Sequence, residues 1–531
     1  MISSVGERTR KGNHVPVRTA GNGPLRTGRS AVIRSSRWIY VGLGFVILMS
    51  ASIAAGLLTR GHNWGDDFAA YILQAQSIVD GRITESIQRS TFTIEQSSYM
   101  FGPVTVPWGF PLMLAPVYAV FGIDILAFKM VLTLCYLAFL VAFYFLARTR
   151  LTDGESLLIT AFMAFNLTLL RAQNEILSDL PFLMWSTVAI WLVERRSRPN
   201  SAEFAGLGQA VAMGLVICAA AVTRFNGLLL LIPLAVAQLA WFGARRRSGS
   251  RAGRVLTFAV PYAVFGLAYG MQALLLPSLG STALLQNQIR QFSLRTILNN
   301  VWYYFLLPGD VLRISMPAGY LLYPAMLLFL VARLAQLRGR DMPMVAYGLA
   351  TLGLYVSFPQ AQGPRYIFPI LPVFFLFVFV GMKDAAKAVG RRLQPFPVAL
   401  VYAGWLGITI ACLEVSLLAA RNNVLAGRED ASGPFSPAAS SMFAFIRNAT
   451  TSDSAIVFFK PRAMRLLTDR DSFLATNCED LGRGDYAVID EAEGSNNQLA
   501  IDGIQECRSA VALTNVYDDG EFVVYRVARG P

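Results

Sequence analysis

The chain has 531 residues, of which 54% are hydrophobic and only 15% are charged, and its mean hydropathy is +0.47. A soluble chain of this length carries nearer a quarter charged residues, so an ordinary soluble globular fold is excluded. The formal net charge of +13 suits a nucleic-acid partner in size, but its placement along the chain argues against one.

The first 37 residues hold Arg8, Arg10, Lys11, Arg18, Arg26, Arg29, Arg34 and Arg37 against Glu7 alone. They are expected to form a basic cytoplasmic extension, 1–37, without stable structure. From Trp38 to Leu418 apolar runs of about 17–24 residues recur, each long enough to cross a hydrocarbon core of roughly 30 Å. Spans are expected near 38–58, 124–147, 155–171, 180–194, 205–222, 227–243, 255–277, 316–334, 342–358, 366–382 and 396–418. The fold class is therefore a polytopic α-helical membrane protein with about eleven transmembrane helices, because helices satisfy their own backbone in lipid.

The remaining basic clusters sort by side. Arg148/Arg150, Arg195/Arg196/Arg198, Arg245–Arg247 with Arg251/Arg254, Arg333/Arg338/Arg340 and Lys383/Lys387/Arg391/Arg392 all fall on alternate connections. That is the positive-inside bias, which puts the N-terminus in the cytoplasm, with anionic lipid as a further contact. The first apolar run starts late and lacks a small-residue cleavage site, so no cleavable signal is read. An odd span count exports the C-terminus. The outer face then holds loop 59–123, short loops near 172–179, 223–226 and 359–365, a longer one near 278–315, and the tail 419–531.

Within the first outer loop, GDDFAAYILQAQSIVDG places Phe68, Ile72, Ala75 and Val79 at helical spacing, with Gln74 and Gln76 off that stripe. A short helix lying along the interface is expected. The following PWGFPLMLAPVYAVFG is apolar but interrupted by Pro107, Pro111 and Pro116, and reads as re-entrant or membrane-skimming. In the tail, AIVFF (455–459), YAVID (486–490) and EFVVYRV (521–527) read as strands. SPAASSMFAFIRN and the stretch after Pro461 read as helices, the latter with proline in its first turn. A small extracytoplasmic α/β domain over 419–531 is the expected result. Cys135, Cys218 and Cys412 lie in apolar spans and read as packing residues. Cys478 and Cys507 lie in the exported tail, where two thiols can pair or stay free.

The residues able to carry chemistry sit off the apolar pattern, on the outer loops. Asp66 suits the N-cap of the helix that follows, yet capping needs one carboxylate and the sequence supplies two, Asp66 and Asp67. A carboxylate at a helix N-terminus is held ionised by the dipole and can take a proton from an acceptor. Glu175 and Asp179, in RAQNEILSDLPF, are four residues apart and suit one helical face; a solvated helix entry is the plainer explanation. Arg365 and Tyr366, in QAQGPRYIFPILP, sit at the outer end of a span. The guanidinium fits a phosphate at headgroup level, or it anchors the helix by snorkelling. Arg224, in TRFNG, poses the same choice on another outer loop. No HExxH, paired CxxC or P-loop pattern occurs.

This order of elements resembles the GT-C superfamily of integral membrane glycosyltransferases. It comprises an acidic pair followed by Tyr71, a Pro-Trp-Gly-Phe-Pro segment, then NEILSDLPF, then PRYIFPILP. The resemblance is nearest to the glycosyltransferase family 39-like branch of protein O-mannosyltransferases and the lipid A aminoarabinose transferase, and it runs from about Trp38 onward. It implies a hexosyl- or pentosyltransferase drawing its sugar from a polyprenyl-phosphate donor at the outer face of the cytoplasmic membrane, with inversion. Asp66 is the implied general base, with Asp67 beside it where many members have Glu. Glu175 and Asp179 are implied to position the acceptor, and Arg365, Tyr366 and Arg224 to bind the donor phosphate.

The acceptor is left open among lipid, glycan and protein. No cofactor or metal ligand is assigned, although two outer carboxylate groups can hold a divalent ion. The alternatives are a transporter or flippase of lipid-linked sugars, which would place ionisable groups at mid-membrane and show inverted repeats, and another outer-face glycan polymerase or ligase.

Overall fold

In the computed structural model the described residues are 28–196, 206–244, 251–279, 293–315, 319–359, 361, 363–393, 396–428, 433–491, 504, 506–507 and 511–529. Most of the basic extension and the cluster at Arg245–Arg247 lie outside them. The chain begins with α1 (Gly28–Leu57), so helix starts within the stretch expected to be unstructured. Then come α2 (Asp67–Val79), α3 (Ile83–Gln96), α4 (Gly109–Phe121), α5 (Ile125–Ala147), α6 (Asp153–Ala164), α7 (Leu167–Arg171), α8 (Asp179–Arg196), α9 (Leu207–Thr223), α10 (Leu231–Ala244) and α11 (Arg251–Leu275). The helical part closes with α12 (Leu294–Ser315), α13 (Gly319–Leu334), α14 (Met342–Val356), α15 (Leu371–Leu393) and α16 (Phe396–Leu425).

Among the described residues, four helical segments are each long and apolar enough to cross a membrane: Arg37–Leu57, Ile125–Ala147, Phe258–Leu275 and Pro397–Leu425. A fifth is a pair bent by 52°, Asp153–Ala164 with Leu167–Asn174. The bend has a local cause, because Asn166 Oδ1 accepts the Leu169 N–H at 3.2 Å and starts a new helix. Leu267, Leu274, Leu321 and Leu328 stand exposed on the helical surface, an apolar exterior that water does not favour and lipid does. Inside, Phe128, Tyr136, Phe139, Phe143, Phe162, Phe375 and Trp405 are fully buried.

Several expectations need correction. The segment expected as outer loop 278–315 contains the 22-residue α12. Its Arg295, Asn299, Asn300, Asp310 and Arg313 break the apolar run that marks a span, so apolarity alone does not reveal it. The helix α2 forms where expected, and Phe68, Ile72 and Ala75 are buried. They pack against α4 rather than lying along the interface alone, and α18 (Pro461–Thr468) closes over the same helix. Gln74, placed off the stripe, is buried too: its amide donates to the Val106 carbonyl at 3.1 Å and accepts the Val106 N–H at 2.7 Å. A residue polar in sequence is here the pin of a turn. α4 runs unbroken through Pro116, and its 13 residues span only about 20 Å at 1.5 Å each.

After α16 come α17 (Pro437–Ala449), β1 (Ala455–Val457), α18, β2 (Asp471–Phe473), α19 (Cys478–Leu481), β3 (Tyr486–Asp490), β4 (Val511–Asp518) and β5 (Phe522–Arg529). The strands form one sheet in the order β2-β1-β3-β5-β4, parallel across β2-β1-β3 and antiparallel thereafter. Ser436 caps α17 by accepting the Ala439 N–H at 3.2 Å, with Pro437 in its first turn. Ala439, Met442, Phe443 and Ile446 pack with Ile456, Val488, Phe522 and Val524 into one apolar core. The strands β2 and β4 and the short α19 were not foreseen. β2 has only three residues, and β4 is largely exposed, so neither shows an apolar run. Cys478 and Cys507 are joined in a disulfide.

Candidate active site

The loop from Thr59 to Asp67 connects α1 to α2 and is tied down at each step. Asn174 donates to the Leu57 carbonyl at 2.8 Å and accepts the Thr59 N–H at 3.0 Å. The fully buried Lys129 donates to Gly61 O at 2.6 Å and Thr59 Oγ1 at 2.7 Å, which caps the end of α1 with a cation. His62 Nε2 accepts the Ile176 N–H at 3.0 Å, so Nδ1 carries the proton and donates to Asn63 O at 2.9 Å. Asn63 Nδ2 donates to Glu175 Oε1 at 2.7 Å. Gly433, at φ 115°, would meet the His62 carbonyl at 2.1 Å if it bore a Cβ, so only glycine lets the tail pass this loop.

A cavity of about 430 Å³ opens at this junction, lined by Asn63, Trp64, Asp66, Asp67, Glu175, Arg365 and Lys460 among others. Four of the residues singled out in the sequence therefore line one cavity: Asp66, Asp67, Glu175 and Arg365. Their positions differ in kind. Asp67 is half-exposed, with Oδ2 3.9 Å from Arg365 Nη2 and Oδ1 3.7 Å from Arg462 Nη1. Asp66 is largely buried: Oδ1 accepts the Arg462 N–H at 2.9 Å and the Ala463 N–H at 3.4 Å. Its Oδ2 makes no hydrogen bond and lies 3.6 Å from Arg462 Nε.

Burial pushes the Asp66 carboxyl above its ordinary value; the Arg462 charge and backbone N–H and the Lys460 charge oppose this, while Asp67 adds to it. Arg365 is held cationic, with Asp179, Tyr366 and Asp67 together outweighing the cost of burial. Tyr71, whose hydroxyl lies 2.9 Å from Ser178 Oγ, is pushed up to about 12 by burial and by Asp67, against the pull of Arg224.

The other expected residues form a buried layer beside the cavity. Arg224 pairs with Asp179 and stacks 5.0 Å from the Tyr366 ring, and Arg365 lies over the same ring at 5.4 Å. Arg224 is thus engaged with Asp179 rather than open to a ligand. Gly227 closes the turn that carries Arg224, since a Cβ there would stand 2.4 Å from Ala220 C. Glu175 and Asp179 do not share a helical face. Glu175 is extended (φ −94°, ψ 110°) at the end of a short 3-10 turn, whereas Asp179 starts α8. Among the described residues no group of three or more His, Cys, Asp or Glu side chains converges as a metal site. Sequence reasoning missed Arg462 and Lys460, which reach the site from the tail.

No protein-family model matches the sequence, and no curated protein matches it by sequence. Solved structures do match in shape. Cupriavidus metallidurans ArnT in the apo state superposes with TM-score 0.57 at 13% identity, over 93% of this chain and 98% of that one. The same protein bound to undecaprenyl phosphate gives 0.57 and 13%, over 92% and 98%. Archaeoglobus fulgidus oligosaccharyltransferase AglB, in complex with an inhibitory peptide and a dolichol-phosphate, gives 0.55 and 13%, over 93% of this chain and 74% of that one. At this identity the likeness is one of fold: the chain shares the overall fold of these solved structures.

Proposed function

We propose that the protein is a membrane glycosyltransferase that moves a sugar from a polyprenyl-phosphate donor to an acceptor at the outer face of the cytoplasmic membrane, with about eleven spans and an exported α/β tail. The observation that carries this reading is the cavity in which an acidic pair faces an arginine, Asp67 Oδ2 lying 3.9 Å from Arg365 Nη2. The two solved neighbours named above bind undecaprenyl phosphate and dolichol-phosphate, and the same chemistry suits this cavity. A lipid-linked donor keeps its chain in the bilayer while its phosphate meets Arg365 and its sugar meets the carboxylates. The donor phosphate replaces Asp67 as the partner of Arg365.

Asp66 serves as the general base. One oxygen is anchored by two backbone N–H donors, and the other is buried without a hydrogen-bond partner, its lone pairs unspent. Burial makes it a stronger base than an exposed carboxylate. It takes the proton from the acceptor hydroxyl or amine as that atom attacks the anomeric carbon. The anomeric C–O bond breaks with its electron pair passing to the lipid phosphate, which Arg365 stabilises, and configuration inverts. Glu175, fixed by Asn63, orients the acceptor. The Tyr366 ring lies under Arg365, and the Asp179 charge, itself paired with Arg224, favours its cationic form.

The test is transfer by purified protein in lipid nanodiscs, using a polyprenyl-phosphate sugar and envelope acceptors. Asp66→Asn keeps an oxygen for the Arg462 and Ala463 N–H groups, so it is expected to fold normally and to lose about 10²–10⁴-fold in rate. Near-parental transfer by Asp66→Asn, with loss in Asp67→Asn instead, would move the base to Asp67. Retained transfer by both would dismiss the reading.

A further inference from the structure

Between α1 and α2 the chain leaves the helical bundle and enters the C-terminal unit. Trp64 packs into the core of that unit: its ring lies 5.1 Å from Phe459, 5.7 Å from Phe458 and 6.0 Å from Phe522. Two residues later, Asp66 caps α18 from a distant part of the chain by accepting its first N–H groups. A carboxylate at this position meets both unpaired donors and the positive end of the helix.

Arg462, in the first turn of α18, points back at the same carboxylates. Its side chain is buried, with Nε 3.6 Å from Asp66 Oδ2 and Nη1 3.7 Å from Asp67 Oδ1. Nη2 donates to the Pro103 carbonyl at 2.6 Å, and the guanidinium stacks 5.0 Å from the Phe101 ring. At Gly102 a Cβ would stand 3.1 Å from Nη2, so the absent side chain leaves room for the guanidinium. The cation is therefore held by the first outer loop on one side and by its own helix on the other. At 3.6 Å it acts on the buried Asp66 Oδ2 through charge without a short hydrogen bond, so that oxygen is left with no hydrogen-bond partner.

We propose that Arg462 is a positioning residue that sets the ionisation and orientation of Asp66, so that the C-terminal unit supplies part of the reactive centre instead of covering it. The link to catalysis rests on the reading of Asp66 as base; the link to Asp66 ionisation does not. Lys460, on the same wall, adds a second positive charge from this unit.

The proposal is tested on the full-length protein in nanodiscs by infrared titration of the protonated carboxyl band, with Asp66→Asn subtracted to isolate Asp66. Removing an opposite charge at this distance in Arg462→Gln is expected to move the Asp66 titration up by about one pH unit or more. Arg462→Lys, which keeps the charge, is expected to restore most of that shift and also serves if the Gln variant does not fold. On the acid limb of the transfer profile a one-unit shift lowers the rate about tenfold at fixed pH. An Asp66 band that titrates alike in all three proteins, with only the melting temperature changed, would reduce Arg462 to a packing residue and overturn the proposal. A shifted band in a background where Asp66→Asn transfers normally would uphold the role of Arg462 while removing Asp66 as base.

Discussion

At the residue scale, the structure separates charged side chains that line the cavity from those that pair with one another beside it. Asp66, Asp67, Glu175 and Arg365 were legible in the sequence because charged residues between apolar runs do nothing for membrane insertion, so their presence asks for another reason. Arg224 and Asp179 were legible for the same reason but have a different part. Each has its side chain largely buried, at 14% and 7% exposure, and they pair with one another. Removing one partner leaves the other charge uncompensated, and this costs about 3–5 kcal/mol for a buried pair. Asp179→Asn is accordingly expected to lower the melting temperature in detergent sharply, because the largely buried Arg224 loses its counter-charge. A change within error of the parent would show that the pair is solvated. Arg462 was not legible: an arginine beside a proline in a charged tail looks like surface, and only its depth in the structure shows otherwise.

At the element scale, short polar contacts join the segment between α2 and α4 to the sheet. Arg89 of α3 pairs with Asp471 at 2.7 Å and Asp469 at 2.6 Å, the latter standing in the left-handed region at φ 57° where α18 ends. Ser97 Oγ accepts the Leu474 N–H at 3.0 Å, and Ser98 Oγ accepts that of Thr476 at 2.9 Å. Helix α3 therefore reads as polar in sequence because its partner is a sheet edge rather than lipid. The same sheet is stapled by Cys478–Cys507, which closes a loop with a sequence separation of 29 residues. A cross-link of that span stabilises mainly by restricting the unfolded chain, by about 2–4 kcal/mol. The double variant Cys478→Ser with Cys507→Ser is expected to make the C-terminal unit markedly more sensitive to protease while the helices stay resistant. Equal protease resistance with and without the bond would show that the sheet holds itself.

At the scale of the whole molecule, the proposed chemistry needs the cavity and the C-terminal unit on the outer side. Ser452 is exposed in the C-terminal unit and Gln336 is exposed in the turn after α13. With Ser452→Cys, a membrane-impermeant maleimide is expected to label intact cells; with Gln336→Cys, labelling should follow only after permeabilisation. Labelling with the sides exchanged would put the acidic pair in the cytosol and leave the proposed donor on the wrong leaflet. The sequence by itself determined the solvent. Long apolar runs and one-sided arginines are properties of composition and order, and they report on lipid whatever the helices later do. It also determined which polar groups were surplus to insertion. Only the tertiary structure decided how those groups are divided. It spent Arg224 on Asp179, set Arg365 against Asp67, and brought α18 from nearly four hundred residues away to hold Asp66. Such pairings depend on distances between segments remote in the chain. No local pattern of hydrophobicity or charge encodes those distances, because they follow from how the helices and the sheet pack.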